Sequence, residues 1–457
     1  PILKKGSATE KSNYRPVSLL SVVSKILEMV VQEQIADYFE KNGLLPPEQH
    51  GFRKKRSTLS ALLSICSRIS ELRSKHLKVA LASYDLSAAF DCLDADILDR
   101  KLKHFGLDDL SRCWIASFLS KRRQFVQIGT ARSSTVQLSV GTPQGSIISP
   151  LLFIIYVSDI NEWMTQGVGF SYADDTAAIS YGETKEKALE KLEITSTELL
   201  KFFASNRLVI NTTKTSLLVI RNPRSSETHT HFLKVGDAHV SESDSITLLG
   251  IKLSADLSWK DQHDSVAASL RSTNGLFFRL AKFMPNRFMT PLVHGLHLSK
   301  VRYGLPLYGS IRASADDPTS ASMQQLQVQV NKGLRTVLGV TLKDRKPLSD
   351  LVAEVGVPTV NQLTIEMTLM ETWRQINHHL PAANSLKFVE DYVAEGRTTR
   401  RTGKGFLAPI PKDETGAARF FQQAVRLWNS APQYIRDEKD ENIAKRMIKE
   451  YAKGMHL

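Results

Sequence analysis

Two hydrophobic patterns share the first part of the chain: short apolar runs typical of strands, and longer stretches with apolar residues at helical spacing. The strand-like runs are 79–84, 170–179, 217–220 and 246–253, the last forming a strand pair around Gly250. The helix-like stretches are 21–42, 60–73, 94–106, 147–157 and 184–206. Strands and helices mixed in this way predict an α+β fold with an antiparallel sheet.

From residue 261 onward the pattern becomes almost entirely helical. Apolar residues recur three or four positions apart, or at multiples of a turn, at Val266, Leu270, Phe277, Ala281, Met323, Leu326, Val330, Leu334 and Val337. This periodicity predicts a helical unit over 261–345 and a mostly helical region over 346–457. Within the second region we expect a helix at 351–379 and a basic loop at 397–404, and we expect the aromatic residues of 417–432 to pack in a core.

Polar stretches between these elements predict turns and loops. Residues 211–214 predict a polar turn, and residues 222–245 predict a mobile surface insertion. Residues 125–128 and 136–140 predict a hairpin. The basic residues just before it, at 121–123, are interpreted as an exposed turn in preference to a contact with a nucleic-acid backbone.

The charge balance favours a polyanionic partner. Sixty Lys and Arg against 47 Asp and Glu leave a formal net charge of +13, which favours nucleic acid over a membrane, although a basic surface can also serve solubility alone. The longest apolar run, 151–157, is far below the ~20 residues of a membrane span. Three cysteines far apart indicate a reducing, intracellular compartment, and we expect a nuclear one. Because residue 1 is Pro, we expect a piece of a longer product.

The stretch around Asp174 and Asp175 carries the clearest candidate chemistry. Apolar runs on both sides predict a hairpin with both carboxylates at its tip. Two adjacent like charges favour a bound cation, and oxygen ligands suit Mg²⁺ or Mn²⁺. Asp85 ends another apolar run, and three carboxylates on neighbouring strands could hold two cations ~3.5–4 Å apart. The alternative is a solvated Asp-Asp turn and an unrelated Asp at a strand end.

The segment 51–58 packs four basic residues together. One interpretation is an ordinary helix start capped by Ser57 or Thr58. The other is a cationic finger that grips a triphosphate or a template. The sequence alone leaves both open.

Taken in order, several short motifs resemble a known family. They are Arg15-Pro16-Val17-Ser18-Leu19-Leu20, Gly51-Phe52-Arg53, Asp85 to Asp91, Gly141-Thr142-Pro143-Gln144-Gly145-Ser146, Tyr172-Ala173-Asp174-Asp175 and Asn211 to Lys214. As a set they resemble the reverse transcriptase of non-LTR (LINE-type) retrotransposons, near the jockey and chicken-repeat clades. The resemblance covers roughly residues 1–345.

The resemblance implies a right-hand polymerase architecture. Residues 1–78 would be N-terminally incomplete fingers, and residues 79–260 a palm with an antiparallel sheet and residual finger elements. Residues 261–345 would form a helical thumb. Residues 346–457 would be a mostly helical C-terminal region of unknown role.

The resemblance also implies a catalytic centre. Asp85 and Asp174 would hold two Mg²⁺ or Mn²⁺ ions, with Asp175 beside them and the carbonyl of Leu86 as a further ligand. Lys214 would be the general acid for pyrophosphate, against the alternative of an exposed turn lysine.

Further positions are implied to bind substrate. Phe90 would exclude a ribose 2′-hydroxyl, unless it is a core residue. Gln144 and Gly145 would support the incoming nucleotide and the template base. Arg53 would bind the triphosphate, assisted by Arg15 and Lys25, and the turn Leu249-Gly250 would form the primer grip.

The function implied is RNA-directed DNA synthesis, which extends a DNA primer on an RNA template with deoxynucleoside triphosphates (dNTPs). An endonuclease domain is expected upstream on the full-length product. One alternative is an inactive or domesticated RNA-binding component of a ribonucleoprotein. Another is a group II intron-type maturase, which the form of residues 13–20 disfavours.

Overall fold

The computed structural model describes residues 1–3, 6–15, 17–222, 231–311, 320–394, 405–408 and 416–455, without the side chains of residues 12, 15, 342 and 392–394. The chain divides into two compact units. The first comprises Pro1–Ala61, Val79–Leu217 and Thr230–Glu242, and the second Leu62–Lys78, Leu218–His229 and Ser243–Leu457.

Strands and helices alternate along the first part of the chain, and helices dominate the rest. The strands are β1 (Ile2–Leu3), β2 (Tyr14–Arg15), β3 (Lys78–Leu86), β4 (Arg122–Gln124), β5 (Gln127–Ile128), β6 (Ala131–Arg132), β7 (Val136–Leu138), β8 (Gly167–Tyr172), β9 (Asp175–Gly182), β10 (Ile210–Ile220), β11 (Phe232–Val235), β12 (Ala238–Ser241), β13 (Ser245–Leu248) and β14 (Ile251–Ser254). The α-helices are α1 (Val22–Lys41), α2 (Thr58–Ser74), α3 (Ala95–His104), α4 (Asp109–Leu119), α5 (Ser149–Tyr156), α6 (Lys185–Ser205), α7 (Lys260–Leu280), α8 (Asn286–Leu292), α9 (Ser299–Arg302), α10 (Leu305–Tyr308), α11 (Ala321–Leu338), α12 (Leu348–Val355), α13 (Val360–Asn377), α14 (Val389–Ala394), α15 (Arg419–Ser430), α16 (Gln433–Asp437) and α17 (Glu441–Gly454). A π-helical segment, Val293–Leu298, joins α8 to α9. This mixture confirms the predicted α+β fold.

A four-stranded sheet in the order β10-β3-β9-β8 is the centre of the first unit. Strands β8 and β9 pair antiparallel from Gly167 opposite Ser180 to Tyr172 opposite Asp175, which confirms the predicted hairpin. Helix α6 covers this sheet, and Thr184 caps its first turn by accepting a hydrogen bond from the Lys187 N–H. The predicted helix at 184–206 is confirmed as well.

Of two predictions for polar stretches, the turn is wrong, and the mobile insertion stays a prediction although part of it has regular structure. Residues 211–214 lie inside β10 rather than in a turn. The predicted insertion at 222–245 contains the antiparallel hairpin β11–β12, which packs on α6, while residues 223–230 lie outside the described residues. Leu233 and Val235 are buried between exposed neighbours, a two-residue alternation that is easily hidden in a polar sequence.

The hairpin predicted at 125–128 and 136–140 forms with a different register. Strand β4 pairs with β7, and β5 pairs with β6, so that the ribbon begins at Arg122 and most of its residues are exposed.

Helices form the second unit almost entirely. Helix α7 packs against α11 through buried residues at helical spacing, which confirms the helices predicted there. The helix predicted at 351–379 is two helices instead, because Gly356 ends α12 in a left-handed conformation and Thr359 begins α13 with a capping box. Trp428 is 1% exposed and packs in the core, as predicted.

The predicted basic loop at 397–404 lies outside the described residues. Among the helices that the structure describes, none is both long enough and apolar enough to span a bilayer.

Candidate active site

Asp174 and Asp175 lie at the tip of the β8–β9 hairpin. Because Tyr172 pairs with Asp175, only Ala173 and Asp174 form the loop, and Ala173 adopts a left-handed conformation with φ of 60°. Asp174 is half-buried and Asp175 is exposed. The tight turn therefore raises two carboxylates above the end of the sheet, as the sequence predicts.

A buried glutamine side chain holds the backbone of this turn. The Gln49 Oε1 accepts hydrogen bonds from the Ala173 N–H at 3.1 Å and from the Gly51 N–H at 2.8 Å. Gln49 is 2% exposed, and its backbone forms a parallel bridge with Ser171 on β8. It therefore fixes the residue before Asp174 from outside the hairpin. The sequence analysis did not single it out, and its only signal is its position two residues before Gly51.

Gly51 is required by this close approach. A Cβ atom at Gly51 would lie 2.2 Å from the Ala173 backbone nitrogen, which no side chain permits. The motif glycine thus has a packing role against the acidic turn.

The end of β3 lies at the same end of the sheet as the acidic turn. Strand β3 is next to β9, and Asp85 is its penultimate residue. The Phe90 ring, which follows β3, is 6.2 Å from the ring of Phe52, the residue next to Gly51. Since Gly51 packs on Ala173, the chain after Asp85 and the hairpin tip are close together.

Asp85 already has a cationic partner in the structure. The Lys214 Nζ donates a hydrogen bond to the Asp85 Oδ2 at 2.7 Å, and the two side chains are 48% and 32% exposed respectively. Their strands β10 and β3 are neighbours in the sheet. Lys214 therefore belongs to the acidic site, although it lies in a strand rather than in the predicted turn.

The acidic residues fit a divalent ion by their chemistry but do not form a ready cage. Three carboxylates at one sheet end are hard oxygen donors of the kind that Mg²⁺ takes, and the Lys214 ammonium on Asp85 shows that a cation is accepted there. Over the described ranges, however, no group of three His, Cys, Asp or Glu side chains is placed to hold a metal ion. The Lys214 ammonium occupies the Oδ2 atom of Asp85, one of the two oxygens that an ion could use.

The loop containing Gln144 and Gly145 packs against the chain after β3. The Gln144 carbonyl accepts a hydrogen bond from the Ser18 N–H at 2.7 Å, and its side-chain Nε2 donates to the Asp91 Oδ1 at 2.8 Å. Gly145 has φ of 110°, a conformation that favours glycine. The structure thus gathers the predicted nucleotide-binding loop and Phe90 in one place.

A second residue that the sequence analysis missed anchors this loop to α1. Glu28 is 1% exposed, and its Oε2 accepts hydrogen bonds from the Ser146 hydroxyl at 2.6 Å and the Ile147 N–H at 2.8 Å. An apolar-rich helix gives no signal that one of its glutamates turns inward. Lys25, one turn earlier, is half-buried, and the side chain of Arg15 lies outside the described residues.

Phe90 lies among aromatic rings at this end of the sheet. Its ring is tilted against that of buried Phe153, with centroids 4.7 Å apart, and meets Phe52 edge-on. Phe90 itself is half-buried. The packed face of the ring is compatible with a core residue, and the accessible face is compatible with the predicted exclusion of a ribose 2′-hydroxyl.

The basic segment after Gly51 is largely neutralised by α1. The Arg53 guanidinium is bidentate on Glu40, at 2.8 and 2.6 Å, and donates to the carbonyls of Pro46 and Gln49. Burial alone would raise the pKa of Glu40, but the hydrogen bonds and charge of Arg53 outweigh it and lower that pKa. Arg53 is therefore engaged by protein groups, which disfavours its prediction as a free triphosphate ligand.

Neighbouring basic side chains are engaged similarly. Lys54 lies 3.4 Å from Asp37, and burial followed by the Arg53 charge lowers the pKa of Arg56 to about 10. Burial, followed by the charges of Arg56 and Arg53, lowers the pKa of His50 to about 3. His50 therefore stays neutral, and it hydrogen-bonds to Ser60 at 2.8 Å.

The predicted primer grip, Leu249-Gly250, belongs to the second unit. It is the two-residue turn between β13 and β14, and both residues have positive φ, 48° and 76°. The Tyr303 hydroxyl donates to the Leu249 carbonyl at 2.6 Å.

The arrangement of acidic hairpin, neighbouring strand-end aspartate and glycine-rich loop belongs to a class of proteins, the nucleic-acid polymerases. Residues 2–253 match the family model described as reverse transcriptase (RNA-dependent DNA polymerase). Because this match covers more than half of the 457 residues, the chain belongs to the reverse transcriptase family.

Curated relatives are polymerases of non-LTR retrotransposons, which confirms the predicted resemblance. The chain is 24% identical over 273 residues to a probable RNA-directed DNA polymerase from transposon X-element of Drosophila melanogaster, covering 58% of this chain and 29% of the relative. It is 29% identical over 188 residues to the RNA-directed DNA polymerase from mobile element jockey of the same species. That match covers 40% of this chain and 20% of the relative. The chain thus spans less than a third of the length of these relatives.

Among solved structures, the chain is similar to telomerase from Candida tropicalis in complex with a fragment of telomeric RNA. The TM-score is 0.41 at 11% identity, covering 95% of this chain and 57% of that one. At this identity and TM-score, the likeness supports no conclusion about this chain.

Proposed function

We propose that this chain is the RNA-directed DNA polymerase of a non-LTR retrotransposon, which extends a DNA primer on an RNA template with dNTPs. The observation that carries the proposal is the acidic turn at Asp174, whose backbone Gln49 holds, on the hairpin that neighbours the strand of Asp85. Family membership and the activity for which the relatives are named support the same function.

In this proposal Asp85, Asp174, Asp175 and the Leu86 carbonyl would hold two Mg²⁺ or Mn²⁺ ions. When bound, such ions lower the pKa of the primer 3′-hydroxyl and neutralise charge on the phosphates. The chain's own part is to position these oxygens, which is why the backbone before Asp174 is fixed by a buried side chain. Positioning and charge stabilisation carry most of phosphoryl transfer.

Lys214 has two roles in the proposal. Without ions it neutralises Asp85, at 2.7 Å, and lowers the repulsion among the carboxylates. Once released from Asp85, its ammonium is a proton donor for the leaving pyrophosphate.

The accessible side of Phe90 would select the sugar. Its ring is backed by Phe153, so that it cannot retreat from a ribose 2′-hydroxyl without disturbing a buried aromatic contact. A deoxyribose lacks that hydroxyl and fits. The loop of Gln144 and Gly145 would support the base from the neighbouring side, since it is tied to Asp91 next to Phe90.

The test is extension of a DNA primer annealed to an RNA template, with dNTPs and Mg²⁺. We expect synthesis by the wild type and a loss of ~10³-fold or more in Asp174→Asn, which keeps the side-chain size and removes the charge. Asp237→Asn, in the exposed turn between β11 and β12, is the matched control and should retain activity. Absence of synthesis by the wild type, or equal synthesis by Asp174→Asn, would overturn the proposal.

A second candidate is an RNA-binding ribonucleoprotein component without catalysis. The observation that favours it is that Asp85 is bound to Lys214 and that the described residues contain no ready metal group. Salt-sensitive RNA binding by a folded wild type that performs no synthesis would support this candidate.

A further inference from the structure

The positive charge of the chain is concentrated in a few helices of the second unit. Residues 265–311 and 320–343 contain no Asp or Glu at all. They contain nine basic residues, against a net charge of +13 for the whole chain: Arg271, Arg279, Lys282, Arg287, Lys300, Arg302, Lys332, Arg335 and Lys343. These ranges include most of α7 and all of α8 and α11, so an unbalanced positive field covers these packed helices.

Three phenylalanines are exposed where α7 ends and α8 begins. Phe278, Phe283 and Phe288 are 63%, 84% and 51% exposed, whereas Phe277 of α7 is fully buried. The core of these helices is thus complete without the three rings. Large aromatic side chains left in water at one place indicate an interaction surface.

Cations lie next to these rings and complete a surface that we name the basic aromatic corner: Phe278, Arg279, Lys282, Phe283, Arg287 and Phe288. The Lys282 Nζ lies 5.3 Å from the centre of the Phe278 ring, and the Arg287 guanidinium 4.8 Å from that of Phe288. All three basic residues are exposed. Single-stranded nucleic acid is bound by aromatic rings that stack on its bases and by cations that contact the phosphates between them.

We propose that the basic aromatic corner binds unpaired nucleic acid, with bases stacked on the phenylalanines. Charge alone would serve a duplex equally well, but a duplex hides the faces of its bases, so the exposed rings would gain nothing from it. An apolar protein partner would bury the interleaved cations without a counter-charge, which is costly. A single strand satisfies both the rings and the cations.

The experiment measures binding of a fluorescent, unstructured RNA of about 15 nucleotides, within the ~4–16-nucleotide site sizes of single-strand binders. Affinity is compared between wild type, Phe283→Ala, Phe283→Trp and Phe283→Leu. Stacking is worth ~1–3 kcal/mol per base, so we expect Phe283→Ala to weaken binding ~5–150-fold, Leu to behave like Ala, and Trp to preserve affinity. Leu110→Ala, at an 82% exposed residue of the first unit, is the matched control.

The salt dependence of RNA binding separates the contribution of the cations from that of the stacked rings. Removing two cations with Lys282→Gln and Arg287→Gln should reduce the slope of log affinity against log salt by ~1.4. The phenylalanine variants should leave that slope unchanged. Circular dichroism of every variant verifies the fold.

The proposal is overturned by equal RNA affinity of folded wild type and Phe283→Ala, by equal affinities of the Ala and Trp variants, or by tighter binding of the matching duplex. Binding to anionic lipid vesicles that depends on Phe283, without Phe283-dependent RNA binding, would assign the corner to a membrane surface instead. Because none of these readouts involves synthesis, the outcome is independent of the proposed polymerase activity.

Discussion

Individual residues of the candidate site divide into those that carry charge and those that place the backbone segments around it. The charged ones, Asp85 and Asp174, are visible in the sequence because carboxylates at the ends of apolar runs are chemically distinctive. The placing residues, Gln49 and Glu28, are visible only in the structure. Their partners are backbone groups 124 and 119 positions away, and no local pattern encodes such a pairing.

Replacement of Gln49 by Met should lower activity more than stability. Met keeps the length of the side chain and loses the acceptor for two N–H groups, which costs ~1–3 kcal/mol. Because one of these groups belongs to Ala173, we expect kcat for primer extension to fall ~10–100-fold, with KM for dNTPs within about threefold. Gln49→Glu restores an oxygen acceptor and should recover part of kcat. Equal kcat in wild type and Gln49→Met would remove Gln49 as a positioning residue.

Replacement of Lys214 by Met tests its second role. The pair with Asp85 is partly exposed, so we expect the free energy of unfolding to change by less than ~1 kcal/mol. The rate of nucleotide addition should fall ~10²-fold, because the proton donor for the leaving pyrophosphate is lost. Lys54→Met, at another surface ion pair, is the control. An unchanged rate of nucleotide addition in Lys214→Met would exclude Lys214 as the proton donor.

Whole elements were predicted well where their signals are local. Asp94 and Thr184 cap α3 and α6 by accepting hydrogen bonds from backbone N–H groups of the first turn. Such caps depend on only a few adjacent residues, so a sequence pattern can predict them. The β11–β12 hairpin was missed because its alternation is only four residues long per strand. The ion pair of Arg53 was equally unpredictable, because its partner Glu40 lies 13 positions earlier, on a different element.

Two glycine-to-alanine changes should have opposite effects on the elements that contain them. At Gly51 the new Cβ would meet the Ala173 backbone at 2.2 Å, so we expect a loss of ~2–4 kcal/mol or a displaced turn. At Gly275, inside α7, nothing lies within 4 Å of the Cβ, so the better helix propensity of Ala should stabilise by ~0.5–1 kcal/mol. Denaturant unfolding measures both. A neutral Gly51→Ala would contradict the close packing of the segment on the turn.

At the scale of the whole molecule, the change from mixed elements to helices near residue 261 was predictable from periodicity alone. The distribution of charge cannot be seen in the net value of +13, which conceals a long acid-free range. Buried ionisable groups were equally unpredictable, because an amphipathic pattern cannot say which polar residue faces inward. Glu371 of α13 is one such case, at 3% exposure.

Glu371 makes the stability of the second unit depend on pH. Burial, with a smaller effect of Glu441, raises the pKa of Glu371 from 4.5 to about 7. The Gln375 amide, which donates a hydrogen bond to Glu371 at 2.8 Å, and the charge of Arg374 act in the opposite direction but are outweighed. The unfolded chain loses this proton near pH 4.5 and the folded chain near 7, so between these values the folded state binds more protons. Stability should therefore fall as pH rises through this window and level off above it.

We expect Glu371→Gln to remove that dependence, because Gln has the same size and no proton to lose. The difference in the free energy of unfolding between variant and wild type should grow in favour of the variant by up to ~3 kcal/mol from pH 4.5 to pH 7.5. Unfolding by urea at a series of pH values measures it, with Asp264→Asn, an exposed carboxylate of α7, as control. Parallel pH profiles of wild type and Glu371→Gln would mean that Glu371 is ionised in the folded protein, held by Arg374 despite its burial.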